Sequence, residues 1–413
     1  MEIKLTEQDL VESSTDALKQ FFEGIKSKQT RITYQGNLDY FLVQVCDDFF
    51  SGDLSQRANE FVNLTKEDQQ KAIKIVRAYV SKLRERTQKN KDDPSYLNPS
   101  SIPNKIKPIR KLLEMNDLGL SWARVYAMFP EIDNSLGARG YTRKEIQKML
   151  NHTQQISTKA IILTMTSGGF REGAWDTLVW KDIFPIYKTC NQKYKVELEK
   201  DETASIVCGA MTIYRGTPDE YVALISIEAW DILQELKKEF SKKMNRLPNE
   251  DDPILFGMGT KRRLRGVSIR KRISTLAQRA ELRPPLTEGK RRHDVPAVHG
   301  FRKTWDKVMM TVEKSTELLS DLVIKERLMG HTTSMSQTDK NYFYTDVLDM
   351  VKPYLEAMPE LMISDECRLK IKLENESKKT EKLEQEIKDH ERTRVQLEQL
   401  EAKVRRMEKY QKL

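Results

Sequence analysis

The sequence predicts a mainly α protein of the α+β class, with a small β-hairpin sheet and a long C-terminal helix, and three observations predict it. Apolar residues recur at helical spacing along most of the chain, as in Leu38-Phe41-Leu42-Val45 and Ile73-Val76-Tyr79-Val80-Leu83. One stretch, Ile206 to Ile227, sets apolar β-formers on either side of a turn cluster, Arg215-Gly216-Thr217-Pro218-Asp219. Past Asp365 the composition turns to Glu, Lys, Arg and Gln with almost no aromatic residue.

The elements follow in order. From Ser13 to about Pro130 the spacing predicts the helices of a first, all-α domain, bounded here as 1–135. Thr87 to Lys105 is rich in Lys, Asp, Asn, Pro and Ser and reads as a loop, with a helix resuming over Ile106 to Asn116. A second break at Pro130 to Gly140 precedes Thr142-Arg-Lys-Glu145, which has the form of a capping box and opens a second domain, 140–360. That domain begins helical through Ile161-Ile162-Leu163, passes through the hairpin, and is helical again from Ala229 to about Met358. Basic loops at Lys261 to Arg272 and Lys290-Arg291-Arg292 interrupt it. In the last segment, 365–413, Leu369, Leu373, Leu383, Ile387 and Leu397 fit one heptad seam, and Leu400, Val404 and Met407 fit a displaced one. Polar His390 and Arg394 also fall on the seam, so a solvated single helix and a weak coiled coil both fit.

The 413 residues are too many for one compact core. Lys+Arg 71 against Asp+Glu 62 gives a net charge of +9, a field that attracts polyanions without specifying one. The four cysteines, Cys46, Cys190, Cys208 and Cys367, form no Cys-x-x-Cys pair, which disfavours a zinc knuckle or a disulfide framework and fits a reducing cytoplasm. The segment from Met1 to Glu7 has no apolar signal core, and no stretch is apolar enough for a membrane helix.

Three separated clusters carry chemistry together. The first is Thr166-Ser167-Gly168-Gly169-Phe170-Arg171-Glu172-Gly173-Ala174, followed by Leu178 to Ile183. The second is His299-Gly300-Phe301-Arg302-Lys303-Thr304-Trp305, and the third is Leu328-Met329-Gly330-His331 with Tyr342 beyond it. Singly, each arises readily by chance, and Arg171, His299 or His331 alone would read as an ordinary ion-paired or packed residue. Their joint order, with a hairpin between the first two, is the signal.

In this order the clusters resemble the signature of the tyrosine recombinase (phage integrase) family: an arginine after a glycine-containing turn, a His-x-x-Arg box, a Gly-His and a tyrosine. The match runs from about Thr142 to Pro353, and Ser13 to Pro130 looks like the family's helical core-binding domain. The phrases Ile213-Tyr214-Arg215-Gly216 and Leu328-Met329-Gly330-His331 resemble archaeal, mobile-element members. The resemblance implies a site-specific recombinase that cuts and rejoins duplex DNA through a 3′-phosphotyrosyl bond, with no metal or other cofactor. It also implies a homo-oligomer, a tetramer on paired DNA sites, and a cytoplasmic, nucleoid-associated protein with no membrane partner. Arg171 and Arg302 are assigned to clamp the phosphate, where planar, permanently charged guanidinium groups suit the developing negative charge. His299 is assigned to proton transfer, His331 to a hydrogen bond on the phosphate, and Tyr342 to nucleophilic attack, ahead of Tyr344 because it needs the smaller insertion after the Gly-His.

Two positions depart from the family. Arg215 stands where many members carry a hairpin lysine as proton donor, and an arginine with pKa above about 12 can assist only through its charge. Ala174 replaces a common glutamate. DNA contact is assigned to Lys261, Arg262, Arg263, Arg265, Arg270, Lys271, Arg272 and Lys303, with the bland reading of a solvated charge run beside it. The competing expectations are a domesticated DNA-binding protein that keeps the fold without cutting, favoured by the missing lysine, and a relaxing enzyme of the topoisomerase kind.

Overall fold

The computed structural model describes residues 16–132, 138–199, 203–257, 262–286, 293–312, 318–331 and 347–410. Its contacts divide the chain into two units, 1–137 with 286–291, and 138–285 with 292–413.

The first unit is helical throughout: α1 Ala17–Glu23, α2 Lys28–Asp39 running on into a π-helical turn at Tyr40–Val45, α3 Leu54–Glu67, α4 Gln69–Thr87, α5 Ile102–Met115 and α6 Trp122–Tyr126. Side-chain caps start most of them. Asp16, Ser27, Asp53 and Asp68 each accept a backbone N–H of the first turn, and Asp53 with Gln56 closes a full capping box. The helical-period residues face one core containing Phe21, Leu38, Phe41, Leu42, Phe61, Val76, Val80, Leu83, Ile109 and Leu113. The helix expected from Ile106 begins earlier, at Ile102, after a 3-10 turn over Pro99–Ser101. Pro103 does not block it, because the first-turn N–H it lacks has no intrahelical acceptor anyway.

The second unit starts at Ala138, and its first helix follows closely. Thr142 caps α7, Arg143–Asn151, with Glu145 reaching back to the Thr142 N–H. The Arg139 guanidinium, and the Thr142 contacts after it, hold the Glu145 carboxyl down at about 2. Then come α8 Ile156–Gly168, β1 Ile183–Thr189, β2 Tyr194–Lys195, β3 Ala204–Ile213, β4 Tyr221–Ile225, α9 Ile227–Met244, α10 Gly266–Arg279, α11 His299–Thr311, α12 Leu318–Leu328, α13 Val347–Leu361 and α14 Asp365–Tyr410. The hairpin expected around Arg215 is β3–β4, but it belongs to a four-stranded antiparallel sheet ordered β2-β1-β3-β4. The strand missed by sequence, β1, contains Pro185. Its partner β2 covers only Tyr187 and Lys188, so Pro185 lies where one side of β1 is open and a missing N–H removes no ladder bond there.

α8 is buried almost completely and packs with α9 and α11, so its terminal turn is fixed from several sides. The tail is one helix. Leu369, Leu373, Leu383, Ile387, Leu397 and Leu400 are all exposed on it, and the side chains of 401–410, Val404 and Met407 among them, lie outside the described residues. Among the described residues no helix is long and apolar enough to cross a membrane.

Candidate active site

Three chain turns bring the second unit's polar residues together. α8 ends at Gly168, and Gly169 caps it in the left-handed region with φ 61°, its N–H donating to the Met165 carbonyl. A Cβ on Gly169 would lie 2.5 Å from the Trp305 ring, so both the backbone angle and the close approach require glycine. Phe170 is then buried, and Arg171 leaves the turn extended and exposed.

The second turn is the start of α11. His299 and Arg302 lie three apart and are neighbours on the helix, and Phe301, Arg302 and Trp305 are buried. Arg302 is only 3% exposed. Its Nη1 donates to the Gly169 carbonyl at 2.7 Å and its Nη2 to the Met329 carbonyl at 2.9 Å.

The third turn ends α12. Gly330, φ 62°, donates its N–H to the Arg327 carbonyl, and His331 donates its N–H to the Glu326 carbonyl, the paired bonds of a Schellman stop. A Cβ on Gly330 would meet the Tyr221 ring at 2.3 Å, so the ring of β4 supports this turn directly. The stop sets the Glu326 side chain against His331, whose Nδ1 lies 2.7 Å from the carboxylate. The other ring nitrogen, Nε2, is 2.7 Å from Arg302 Nη2. A guanidinium only donates, so Nε2 accepts; the proton therefore sits on Nδ1 and is donated to Glu326. Arg171 Nη1 reaches the carbonyl of the intervening Gly330 at 3.4 Å.

The chain thus joins Arg171, Arg302 and His331 around one glycine. Among the described residues neither arginine is paired with a carboxylate, so their charge is available to an anion. His299 stands exposed at the head of the same helix. Partial desolvation by its surroundings, despite that exposure, and then the charges of Lys303, Arg302 and Arg171, hold its pKa below the ordinary 6.5, which leaves a neutral imidazole able to accept a proton at neutral pH. Replacing Lys303 by alanine removes one like charge and should raise the NMR titration midpoint of His299; an unchanged midpoint would take Lys303 out of its surroundings.

Arg215 is not brought into this group. Its Nε donates to the buried Asp182 carboxylate at 2.5 Å and its Nη2 to the Lys181 carbonyl at 3.1 Å. Asp182 is 5% exposed and its second oxygen accepts the Val179 N–H, which ties the hairpin turn to the entry of β1. Arg215 itself is 45% exposed, so solvent screens the pair; Arg215→Ala should still cost about 1–3 kcal/mol by stranding a buried carboxylate. Adding Asp182→Asn should recover most of that loss in urea unfolding. Equal losses in the single and double variants would contradict the pairing.

The basic residues divide by what holds them. Arg263 donates to the Leu178 carbonyl at 2.6 Å, Arg272 to Ser157 at 3.0 Å, and Arg270 pairs with Glu172. Burial holds the pKa of both Arg263 and Arg272 below the usual arginine range. Arg262, Arg265 and Lys271 are exposed and Lys303 is half-buried, while Lys261 lies outside the described residues. Tyr342 and Tyr344 lie outside them as well.

Glu326 and Tyr221 went unread in the sequence, as did the half-buried Tyr214. The Tyr214 hydroxyl faces Gly173, and the pull of Arg171 and Arg302 on it is outweighed by burial, which raises its pKa. Glu326 had a usable signal: a Gly-His ending a helix places the residue in the C3 position beside the histidine. Tyr221 had none.

The class defined so far is a helical α+β protein that brings two arginines, without a carboxylate partner among the described residues, beside His299 and His331. Solved structures similar to this chain are tyrosine recombinases and integrases. XerA recombinase shares 14% identity over 82% of this chain and 96% of that one, with a TM-score of 0.32. XerH site-specific recombinase, in a post-cleavage complex with its palindromic substrate, shares 13% over 81% and 84%, TM-score 0.42. The Tn1549 transposon integrase, in complex with a circular intermediate DNA, shares 10% over 81% and 97%, TM-score 0.42. No family model and no curated protein matches.

Proposed function

We propose that this chain is a tyrosine-type site-specific recombinase that cleaves and rejoins duplex DNA. The observation that carries the reading is the convergence of three sequence clusters, Gly169 to Arg171, His299 to Arg302, and Gly330-His331, on one site whose two arginines have no carboxylate partner among the described residues. In such a site a phosphodiester's non-bridging oxygens take the place of the Gly330 carbonyl on Arg171 and of the His331 ring on Arg302. The Tyr342 oxygen attacks phosphorus as its proton passes to neutral His299, and the bond from phosphorus to the 5′-oxygen breaks. The histidine proton then goes to that oxygen, leaving a 3′-phosphotyrosyl link that a second 5′-hydroxyl can reverse. Arg215, held by Asp182, has no part as proton donor. Double-stranded DNA is the partner, with protomers assembled on paired sites. A nicked duplex that loses its 5′-hydroxyl fragment on cleavage should trap a covalent protein–DNA adduct.

A second reading, a DNA-binding protein that retains the fold without cutting, is favoured by that engagement of Arg215. It predicts sequence-specific duplex binding with no adduct on the same substrate.

A further inference from the structure

The last helix presents a surface that the proposed chemistry does not use. Among the described residues α14 is docked at its start: the N–H groups of Ile363 and Ser364 donate to Glu228, Ile371 packs into the second unit's core, and Lys372 pairs with Glu360. Beyond these contacts the seam leaves its own unit. Leu373 is 73% exposed, Leu383 51%, Ile387 58% and Leu397 55%.

In heptad order the seam beyond Leu369 reads Leu373, Glu376, Thr380, Leu383, Ile387, His390, Arg394, Leu397, and this part of it is symmetric in character about Gln385. Counted inward from its two ends, leucine matches leucine, glutamate matches arginine, threonine matches histidine, and Leu383 matches Ile387. An antiparallel coiled coil pairs each a position with a d position of the other helix, which makes these matches its layers. A parallel pair in register would instead set Glu376 on Glu376 and Arg394 on Arg394, two like-charge layers in a seam with few apolar ones. The flanking positions do not choose between the two: the antiparallel register places Lys370 near Glu398 but Glu384 and Glu386 near their own copies. The seam alone selects the direction.

We propose that α14 pairs antiparallel with α14 of a second copy of this chain, centred on Gln385. The overlap from Leu373 to Leu397 spans about 36 Å at 1.5 Å per residue, and it sets the docked ends of the two helices at opposite ends of the pair.

Sedimentation of the full chain without DNA tests this, with no dependence on cleavage. The wild type should show a concentration-dependent monomer–dimer equilibrium. Glu376→Arg alone sets two arginines in one layer and Arg394→Glu alone sets two glutamates; each should weaken the dimer at least about tenfold. The double variant carrying both changes restores opposite charges in both Glu–Arg layers and should return to within about threefold of wild type. These side chains are exposed, so circular dichroism should be unchanged in all of them. A monomeric wild type overturns the proposal. So does a dimer that both single changes leave intact, because a parallel register has like charges in all four proteins.

Discussion

Replacing Arg302 with alanine should cost the protein both its chemistry and a large part of its stability, whereas replacing Arg171 should cost chemistry alone. The two guanidinium groups were assigned the same task from sequence, yet the fold uses them differently. Arg302 is 3% exposed and its bonds to the Gly169 and Met329 carbonyls join the end of α8, the face of α11 and the end of α12. Truncation leaves two buried carbonyls unpaired and a side-chain cavity, a loss of about 3–5 kcal/mol. Arg302→Lys keeps the charge but cannot span both carbonyls, so it should fold better than the alanine variant while cleaving about a thousandfold more slowly than wild type. Arg171 is exposed, with one 3.4 Å hydrogen bond among the described residues. Its alanine variant should unfold within about 0.5 kcal/mol of wild type and lose about a hundred- to a thousandfold in cleavage. Urea unfolding beside adduct formation separates the cases. Wild-type stability in Arg302→Ala would mean the three turns are held by something else, and normal cleavage by Arg171→Ala would remove it from the site.

What could be read in the sequence was local, and what could not was distant in the chain. The capping box of Thr142 and Glu145 is a four-residue pattern with its own hydrogen bonds, and it marks the helix start correctly. The β3–β4 hairpin was equally local, since its turn cluster lies between the strands it joins. β1 was hidden by Pro185, whose tolerance depends on where its neighbour β2 stops. The basic loop was visible as charge, but its sorting was not: Arg263 finds the Leu178 carbonyl across 85 residues and Arg270 finds Glu172 across 98. Arg215 is the sharpest case. Its place in the hairpin was legible, and the buried aspartate 33 residues earlier that holds it was not. The arginine–histidine cluster was legible because three short patterns carry it, while the carboxylate that sets the tautomer of His331 belongs to a helix end whose geometry appears only in the fold.

Tyr342→Phe should abolish the covalent adduct, by at least about a thousandfold, and leave duplex binding intact. The structure narrows the field by removing four of this unit's other tyrosines. Tyr354 is fully buried, donates its hydroxyl to the Ser167 carbonyl at 3.1 Å, and has its pKa driven well up by burial. Tyr141 donates to the Ala297 carbonyl and Tyr221 lies beneath Gly330; burial pushes both up to about 12. Tyr214 is raised as well, against the opposing pull of Arg171 and Arg302. A phenol held protonated by burial is a poor nucleophile, so none of these four suits attack on phosphorus. The candidates that fit the order of the clusters are Tyr342 and Tyr344, in the segment between His331 and Val347, with Phe343 between them unable to attack. Tyr342 needs the shorter insertion after the Gly-His. Adduct formation on the nicked duplex should therefore survive Tyr344→Phe and Tyr214→Phe and vanish in Tyr342→Phe. An adduct that persists in Tyr342→Phe and disappears in Tyr344→Phe would transfer the role to Tyr344, and peptide mapping of the trapped DNA would place the bond on that residue.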